Sequence, residues 1–419
     1  MKKIPFIAFA LLSPLLSLRA DVTIKWLHIQ NLQPIRDIWA EAAKKFESDH
    51  PGVKVEFDYL ENEAFKAKLP TLLQSPSDKP SFFHSWGGGV MKEQVESGVC
   101  KDITDAIKGD FEDSFYPAGI QNFVVDGKSY GVPNDVGPIV FWYNKDLASK
   151  AGIDPTQIKT WDDFIAAVKK AKAAGLTPIA AGGADKWPLH FYPAMLMMRV
   201  LGKDDFNAML KDTKEGLAGP GGLKAWQLYK ELCDLKPFQD GYQSAKYPDA
   251  AGYFHDGKAV FHLMGNWDVG AGRDASASKK GLSDAQLGWF NFPTVAGGKG
   301  KADDIFASVD GWLVGKDAPK ETIDFLKVLL SKETQDKLAA AGLSIPMVKG
   351  TADSIKVPYM REIADEAGKS GWIQIAMDQL LGPDTGRLFN DQAAAVAAGS
   401  ATPEAAVKAI QDSWKQNQG

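Results

Sequence analysis

Cysteine is almost missing: the 419-residue chain has 2, Cys100 and Cys233. Neither stands in C-x-x-C spacing or near a histidine cluster, so neither a zinc framework nor a redox pair is indicated. They form one disulfide or are buried thiols, and the second reading is preferred. Positive charge is also short, with 48 Lys and Arg against 53 Asp and Glu for a net −5. That is the wrong sign for a chain that must neutralise phosphates, so nucleic acid is not expected as a partner. Past the first twenty residues no apolar run reaches the ~18 of a spanning helix. H-E-x-x-H and G-x-x-x-x-G-K-[ST] are absent, and Gly127-Lys128-Ser129 lacks the upstream glycine of the second. Zinc proteolysis and nucleotide binding therefore have no motif to stand on. Nor is there an internal repeat, which removes solenoids.

The N-terminus reads as a secretory leader over residues 1–20: Lys2 and Lys3, the apolar stretch Ile4 to Leu18, then Ala20. About 15 apolar residues broken by Pro14 fall short of the ~20 needed to span a membrane. No cysteine follows Ala20 for a lipid anchor, so a soluble protein held in a periplasm is expected. The remaining length exceeds the roughly 100–200 residues of one domain, which points to two lobes.

Val22, Ile24, Trp26 and His28 alternate as a strand, and Ile35, Ile38, Trp39, Ala42, Ala43 and Phe46 follow at helical spacing. Val53 to Tyr59 alternates again. A helix from about Glu63 to Gln74 and a strand near Ser81 to Trp86 complete a β-α-β-α-β order, which implies a largely parallel sheet. Ligands on such sheets sit beyond the strands' carboxyl ends, so His28 to Gln33 and His84 to Gly89 are the first site candidates. Gly87, Gly88 and Gly89 would let the backbone approach a ligand. Asp126-Gly127 between two apolar runs signals a hairpin. Pro133-Asn134-Asp135-Val136-Gly137-Pro138 reads as a breaker-rich crossing between lobes. From Trp161 to Leu235 the pattern is mainly helical; Val260 to Met264 and Leu287 to Phe292 read as strands, Thr322 to Leu330 and Pro403 to Trp414 as helices, the last capped by Thr402.

Three passages carry a more specific signal. They are Tyr130-Gly131-Val132-Pro133 followed by Trp142-Tyr143-Asn144-Lys145-Asp146-Leu147; Thr160-Trp161-Asp162-Asp163-Phe164; and Phe254-His255-Asp256-Gly257-Lys258-Ala259-Val260-Phe261 with Met264-Gly265-Asn266-Trp267. In this order they resemble the sugar-binding, maltose-binding-protein-like group of extracellular solute-binding proteins of ATP-binding-cassette importers. The resemblance implies an α/β fold of two lobes, each a mainly parallel sheet flanked by helices, joined by crossing hinge segments near Asn134 to Gly137, Phe292 to Thr294 and Leu343 to Met347. It divides the chain into 21–135 with 294–345 and 136–293 with 346–419. It implies a non-catalytic monomer without cofactor or metal, partnered by a small carbohydrate and a membrane permease.

A pyranose presents apolar C–H faces and a rim of hydroxyls, so its site needs flat aromatics edged by hydrogen-bonding groups. The chain carries 12 Trp. By position in the family pattern, the candidates are His28, Gln30, His84, Trp86 and Asp135, then Trp187, His190, Asn266, Trp267, Asp310, Trp312 and Arg387. Packing is the reading for Trp26, Trp39, Trp161, Trp226, Trp289 and Trp414, and Arg387 has an ion pair with Asp384 or Asp391 as its ordinary role. The early residues depart from the maltose-type pattern, where acidic and basic residues stand in place of His28, Gln30 and His84, so the sugar stays open. Two alternatives remain: a glycoside hydrolase using Asp135 and Asp310, and the same fold carrying a polyol, polyamine, iron or organic anion.

Overall fold

The computed structural model describes residues 22–417. The expected leader at 1–20 lies outside the described residues. Strand β1 (Val22–His28) is followed by the helix Gln33–Asp49, which buries Ile35, Trp39, Ala42, Ala43 and Phe46 on one face. Next come β2 (Val53–Tyr59), the helix Asn62–Gln74 and β3 (Phe82–Ser85). β1 lies between β2 and β3 and runs parallel to both, with Val22 opposite Val53 and Trp26 opposite Phe82. The carboxyl ends of β1 and β3 therefore open at one edge, where a parallel sheet offers its crevice.

The small hairpin β4 (Val124–Val125) and β5 (Lys128–Ser129) turns through Asp126 and Gly127, whose φ values of 49° and 76° are both positive, as its two-residue loop requires. Then β6 (Gly131–Asn144) runs as one strand of 14 residues. The breaker-rich passage Pro133 to Pro138, read as a crossing, lies inside this strand. The prolines cost β6 amide donors, but the strand is changing partners there, from β10 (Ile305–Val314) on the first lobe to β8 (Ala259–Gly265) and β9 (Leu287–Phe290) on the second. Ladder hydrogen bonds are most easily given up at such a handover. The crossing is made by continuous strand.

The strand order is β2-β1-β3-β10-β6-β8-β7, with β7 at Thr177–Ala180 and β11 (Ile373–Ile375) beside the start of β10. The sheet is mixed rather than mainly parallel. β10 and β6 meet antiparallel, β3 joins β10 antiparallel, and β6 joins both β8 and β9 antiparallel. The reason is that β6 and β10 each cross the molecule in opposite directions, so every strand parallel to one opposes the other. The short β7 was hidden by the helical pattern around it.

The return crossing also falls later than expected. Thr294 still pairs with Lys159 and Thr160 on the second lobe, and the chain crosses back within β10. What holds the segment before β10 is Arg199, buried at 2 % exposure, whose guanidinium donates to the carbonyls of Phe292, Lys301 and Asp304. A third crossing passes at Ser344 to Met347, where Val136 donates to Ile345 O and Met347 to Asn134 O.

Around Trp26, the rings of Trp39, Phe82 and Trp312 lie 4.7 to 5.1 Å away and form the first lobe's core. Phe141, Phe164, Trp161 and Phe292 stack in the second. Thr160 and Asp163 close a reciprocal cap on the helix Trp161–Ala173, which explains the T-W-D-D spacing mechanically. Cys100 and Cys233 are both buried and free, and burial pushes both thiols up to about 12.

Candidate ligand cleft

Where the strands change lobes a cavity of about 230 Å³ opens between them. That is far beyond the ~10–15 Å³ that admits one water. Its floor is the β6–β10 pair. In the register of that pair Asp135 stands opposite Asp310, next to a β-bulge at Asp310/Gly311. Asp135 accepts from Ser344 Oγ at 3.0 Å and Asn134 Nδ2 at 3.2 Å, while Asp310 accepts from Ser308 Oγ at 2.8 Å. Burial, then the adjoining Asp310 carboxylate, pushes the Asp135 carboxyl well above its usual range. His84, at the end of β3, places Nε2 3.4 Å from Asp310 Oδ1, with its ring edge-on to Trp86 at 4.5 Å.

On the first lobe Gln30 leaves β1 and uses its own Oε1 to accept from Leu32 N at 2.9 Å. Lys66 projects from the helix Asn62–Gln74, 3.2 Å from Glu63 and 3.6 Å from Asp378, with Nζ 5.4 Å from the Trp86 ring centroid. Burial opposes its charge, but the two carboxylates outweigh this and hold Lys66 above its ordinary value.

The second lobe supplies the flat surfaces. Trp267 is half-buried, and a Cβ added at Gly137 would come within 2.5 Å of its ring; one at Gly265 would come closer still. Only glycines let the indole lie down on β6 and β8, which leaves its other face to the cavity. Directly behind it Asp268 is fully buried between His255 Nε2 at 3.5 Å and His262 Nε2 at 3.3 Å. Burial opposes the Asp268 charge, and the imidazoles outweigh it, holding the carboxyl below its usual range. Trp187 opens the helix Trp187–Lys211 and packs on Tyr247 at 5.2 Å. His190, one turn on, is buried 4.0 Å from Asp378, and burial lowers it to about 4, so it is neutral.

Ten of the twelve candidates thus line the cavity: Gln30, His84, Trp86, Asp135, Trp187, His190, Asn266, Trp267, Asp310 and Trp312. Trp312 is only 1 % exposed and props the floor from the core side. Two fall elsewhere. His28 is packed under the sheet edge against Trp26 and Trp39, and its Nδ1 accepts from Gln30 N; burial, then His84 and Arg36, lowers it to about 4. Being the last residue of β1, it points inward by the strand's alternation, while the residues beyond it reach the cleft. Arg387 lies on the outside of the helix Gly382–Ala398, its side chain 75 % exposed and 3.5 Å from Asp384. The three glycines also serve another purpose than expected. A Cβ on Gly88 would meet Gln379 O at 2.7 Å, and on Gly89 Leu380 O at 2.6 Å, so this turn docks backbone-to-backbone on the Met377–Leu380 helix at the cleft rim.

Sequence reasoning missed Tyr59, Glu61, Lys66, Asn134, Tyr247, Asp378 and Gln379, all of which line the cavity. Glu61 and Lys66 sit on the turn and helix after β2, whose start faces the same sheet edge as His84. Following β2 as β1 and β3 were followed would have found them; no comparable signal marks Asp378.

Fold and cleft define a two-lobed ligand-binding protein. The model of the bacterial extracellular solute-binding protein family matches residues 31–336, and the chain belongs to that family. An uncharacterized ABC transporter extracellular-binding protein of Pyrococcus horikoshii is 28 % identical over 327 residues, 70 % of this chain and 73 % of that protein. A probable sugar-binding periplasmic protein of Mesorhizobium japonicum is 26 % identical over 262 residues, 62 % of this chain and 60 % of that protein. Among solved structures, a protein from xylan utilization in Caldanaerobius polysaccharolyticus superposes with a TM-score of 0.85 at 24 % identity, over 94 % of this chain and all of that one. A chitin oligosaccharide binding protein follows at 0.83 and 24 %, over 95 % of this chain and all of that one. At these identities the structures establish the fold.

Proposed function

We propose that this chain is the periplasmic, non-catalytic receptor of an ATP-binding-cassette importer, and that it closes its lobes around a small carbohydrate and hands it to the membrane permease as a monomer. The lobes exchange chain within β6, within β10 and at Ser344 to Met347, and the strands β6 and β10 bend at their crossings on closure, a hinge motion of known type. The observation that carries this reading is Trp267, laid on Gly137 and Gly265 with one face turned to a cavity whose floor is rimmed by carboxyl, amide and hydroxyl groups. That is the pairing a pyranose needs. A mono- or disaccharide, plain or derivatised, is the proposed cargo; relatives named for oligosaccharides, such as the arabinooligosaccharide-binding protein of Bacillus subtilis, extend the range to be tested. Hydrolysis is disfavoured because Asp135 and Asp310 are neighbours across one strand pair, whereas glycosidase carboxyls stand about 5 to 9.5 Å apart with the sugar between.

The test is a thermal-shift screen of the chain from Asp21 against mono-, di- and oligosaccharides, polyols and spermidine, since a ligand of the folded state raises stability. A shift with a sugar is expected. A shift with spermidine and none with sugars would favour a polyamine cargo, the second reading, which the cleft's acids Glu61, Asp135, Asp310 and Asp378 support.

A further inference from the structure

We propose that Asp135 and Asp310 share one proton on the cleft floor and that this carboxyl pair makes the cleft select sugars without negative charge. The proposal rests on the carbohydrate reading only for the ligand; the pair itself is a matter of geometry. The two residues are register partners on adjacent antiparallel strands, which sets their side chains side by side on one face of the sheet. Two carboxylates set side by side in a half-enclosed cleft repel each other when both are ionised, and one proton between them turns repulsion into a hydrogen bond.

The surroundings decide what the pair can do. Asn134 faces it from β6, Ser308 from β10, His84 from β3 and Ser344 from the third crossing. These groups hold the outer oxygens in place. No lysine or arginine reaches it among the described residues: Lys66, the cation lining the cavity, is engaged by Glu63 and Asp378, and Arg387 faces solvent. Glu61 and Asp378 add further negative charge to the lining. A uronate or sugar phosphate entering here would meet carboxylates and find no free cation, while a neutral sugar's hydroxyls can donate to the acceptors the pair leaves open. A charge-sharing acid pair therefore carries one negative charge where two ionised acids would carry two, and its remaining lone pairs accept from sugar hydroxyls.

Two measurements test this. Carboxyl-carbon NMR of the ligand-free protein with labelled aspartate should show one cleft carboxyl still protonated at neutral pH, and Asp310→Asn should lower its titration. Two carboxyls that both titrate in the ordinary range would overturn the pair. Asp135→Asn, with the melting temperature followed, separates loss of the pair from misfolding, because the protonated cleft carboxyl should vanish while the fold is kept. Calorimetry with cellobiose, xylobiose and cellobiouronic acid then reads selectivity. The uronate should bind at least tenfold more weakly than cellobiose, with the gap narrowed in Asp310→Asn. A uronate that binds as tightly as its neutral parent overturns the selectivity. Failure of every one of these sugars to bind also overturns it and counts against the sugar reading, whereas the NMR titration decides proton sharing without any ligand.

Discussion

The two walls of the cleft are made of different chemistry. On the first lobe and the floor the groups are polar and largely ionisable, Gln30, Glu61, Lys66, His84, Asp135 and Asp310, with Trp86 among them. On the second lobe they are broad rings, Trp187, Tyr247 and Trp267, relieved by Asn266 and His190. The difference follows from backbone. The first wall is built where parallel strands end, so short loops present polar side chains; the second is built on antiparallel strand and helix starts, where glycines at 137 and 265 make room for an indole. One wall is suited to reading hydroxyl positions and the other to stacking on a ring face. Discrimination among sugars should lie with the first and a general liking for pyranoses with the second.

One feature is common to both walls, a buried neutral histidine: His28 beneath the first and His190 within the second, each lowered to about 4. The unfolded chain protonates each imidazole near 6.5, whereas the folded chain resists until about 4. Between those values unfolding takes up protons, so this stability is fully present above about 6.5 and is lost as pH falls toward 4. The expected loss is ~2–3 kcal/mol per histidine. Chemical denaturation at pH 7 and pH 4.5 should show His28→Gln and His190→Gln each flattening the slope relative to the parent. The comparison with the parent cancels Asp135, whose raised carboxyl works in the opposite direction. A slope unchanged by either substitution would mean that wall's histidine is accessible to protons.

The stacking wall is broken most directly by Trp267→Ala. Affinity for the sugar found in the screen should fall ten- to hundredfold, ~1.4–2.7 kcal/mol, with the melting temperature nearly kept, because the ring is half-buried and rests on glycines rather than in a core. A large melting drop would reassign Trp267 to packing.

How the two walls were legible in the sequence differs too. Alternation and helical spacing placed β1, β2, β3 and their helices, and the exits of β1 and β3 were therefore visible as site. His28 was misplaced because alternation sets which face a residue takes, and the last strand residue still faced inward. Lys66 and Asp378 were invisible as a pair since they are brought together by tertiary packing across the cleft, which no spacing along the chain encodes. The prolines at 133 and 138 marked the passage for a physical reason: they break ladders, and here the ladder is being exchanged between lobes.

The glycine turn at the rim belongs to both walls, and it offers a way to separate contact from closure. Gly89→Ala puts a Cβ 2.6 Å from Leu380 O and 2.7 Å from Gly382 N, backbone atoms that cannot swing aside. If lobe closure stabilises the bound state, affinity should drop several-fold, ~1 kcal/mol, although residue 89 touches no cavity group. X-ray scattering with ligand should then show a larger radius of gyration than the parent. An unchanged affinity would mean that the rim contact contributes nothing to holding the lobes together.

The smallest effect expected is that of Arg387→Ala. As a cleft residue it would have supplied a bidentate clamp for an anionic sugar. Its place on the outer face of its helix, 3.5 Å from Asp384 with both side chains 75 % exposed, makes it a surface pair three residues apart, and such pairs contribute only a few tenths of a kcal/mol. Removing it should leave affinity within twofold for every sugar. A selective loss of binding to uronates would show that Arg387 enters the cleft when an anion is present, and would transfer charge reading from the first wall to the second.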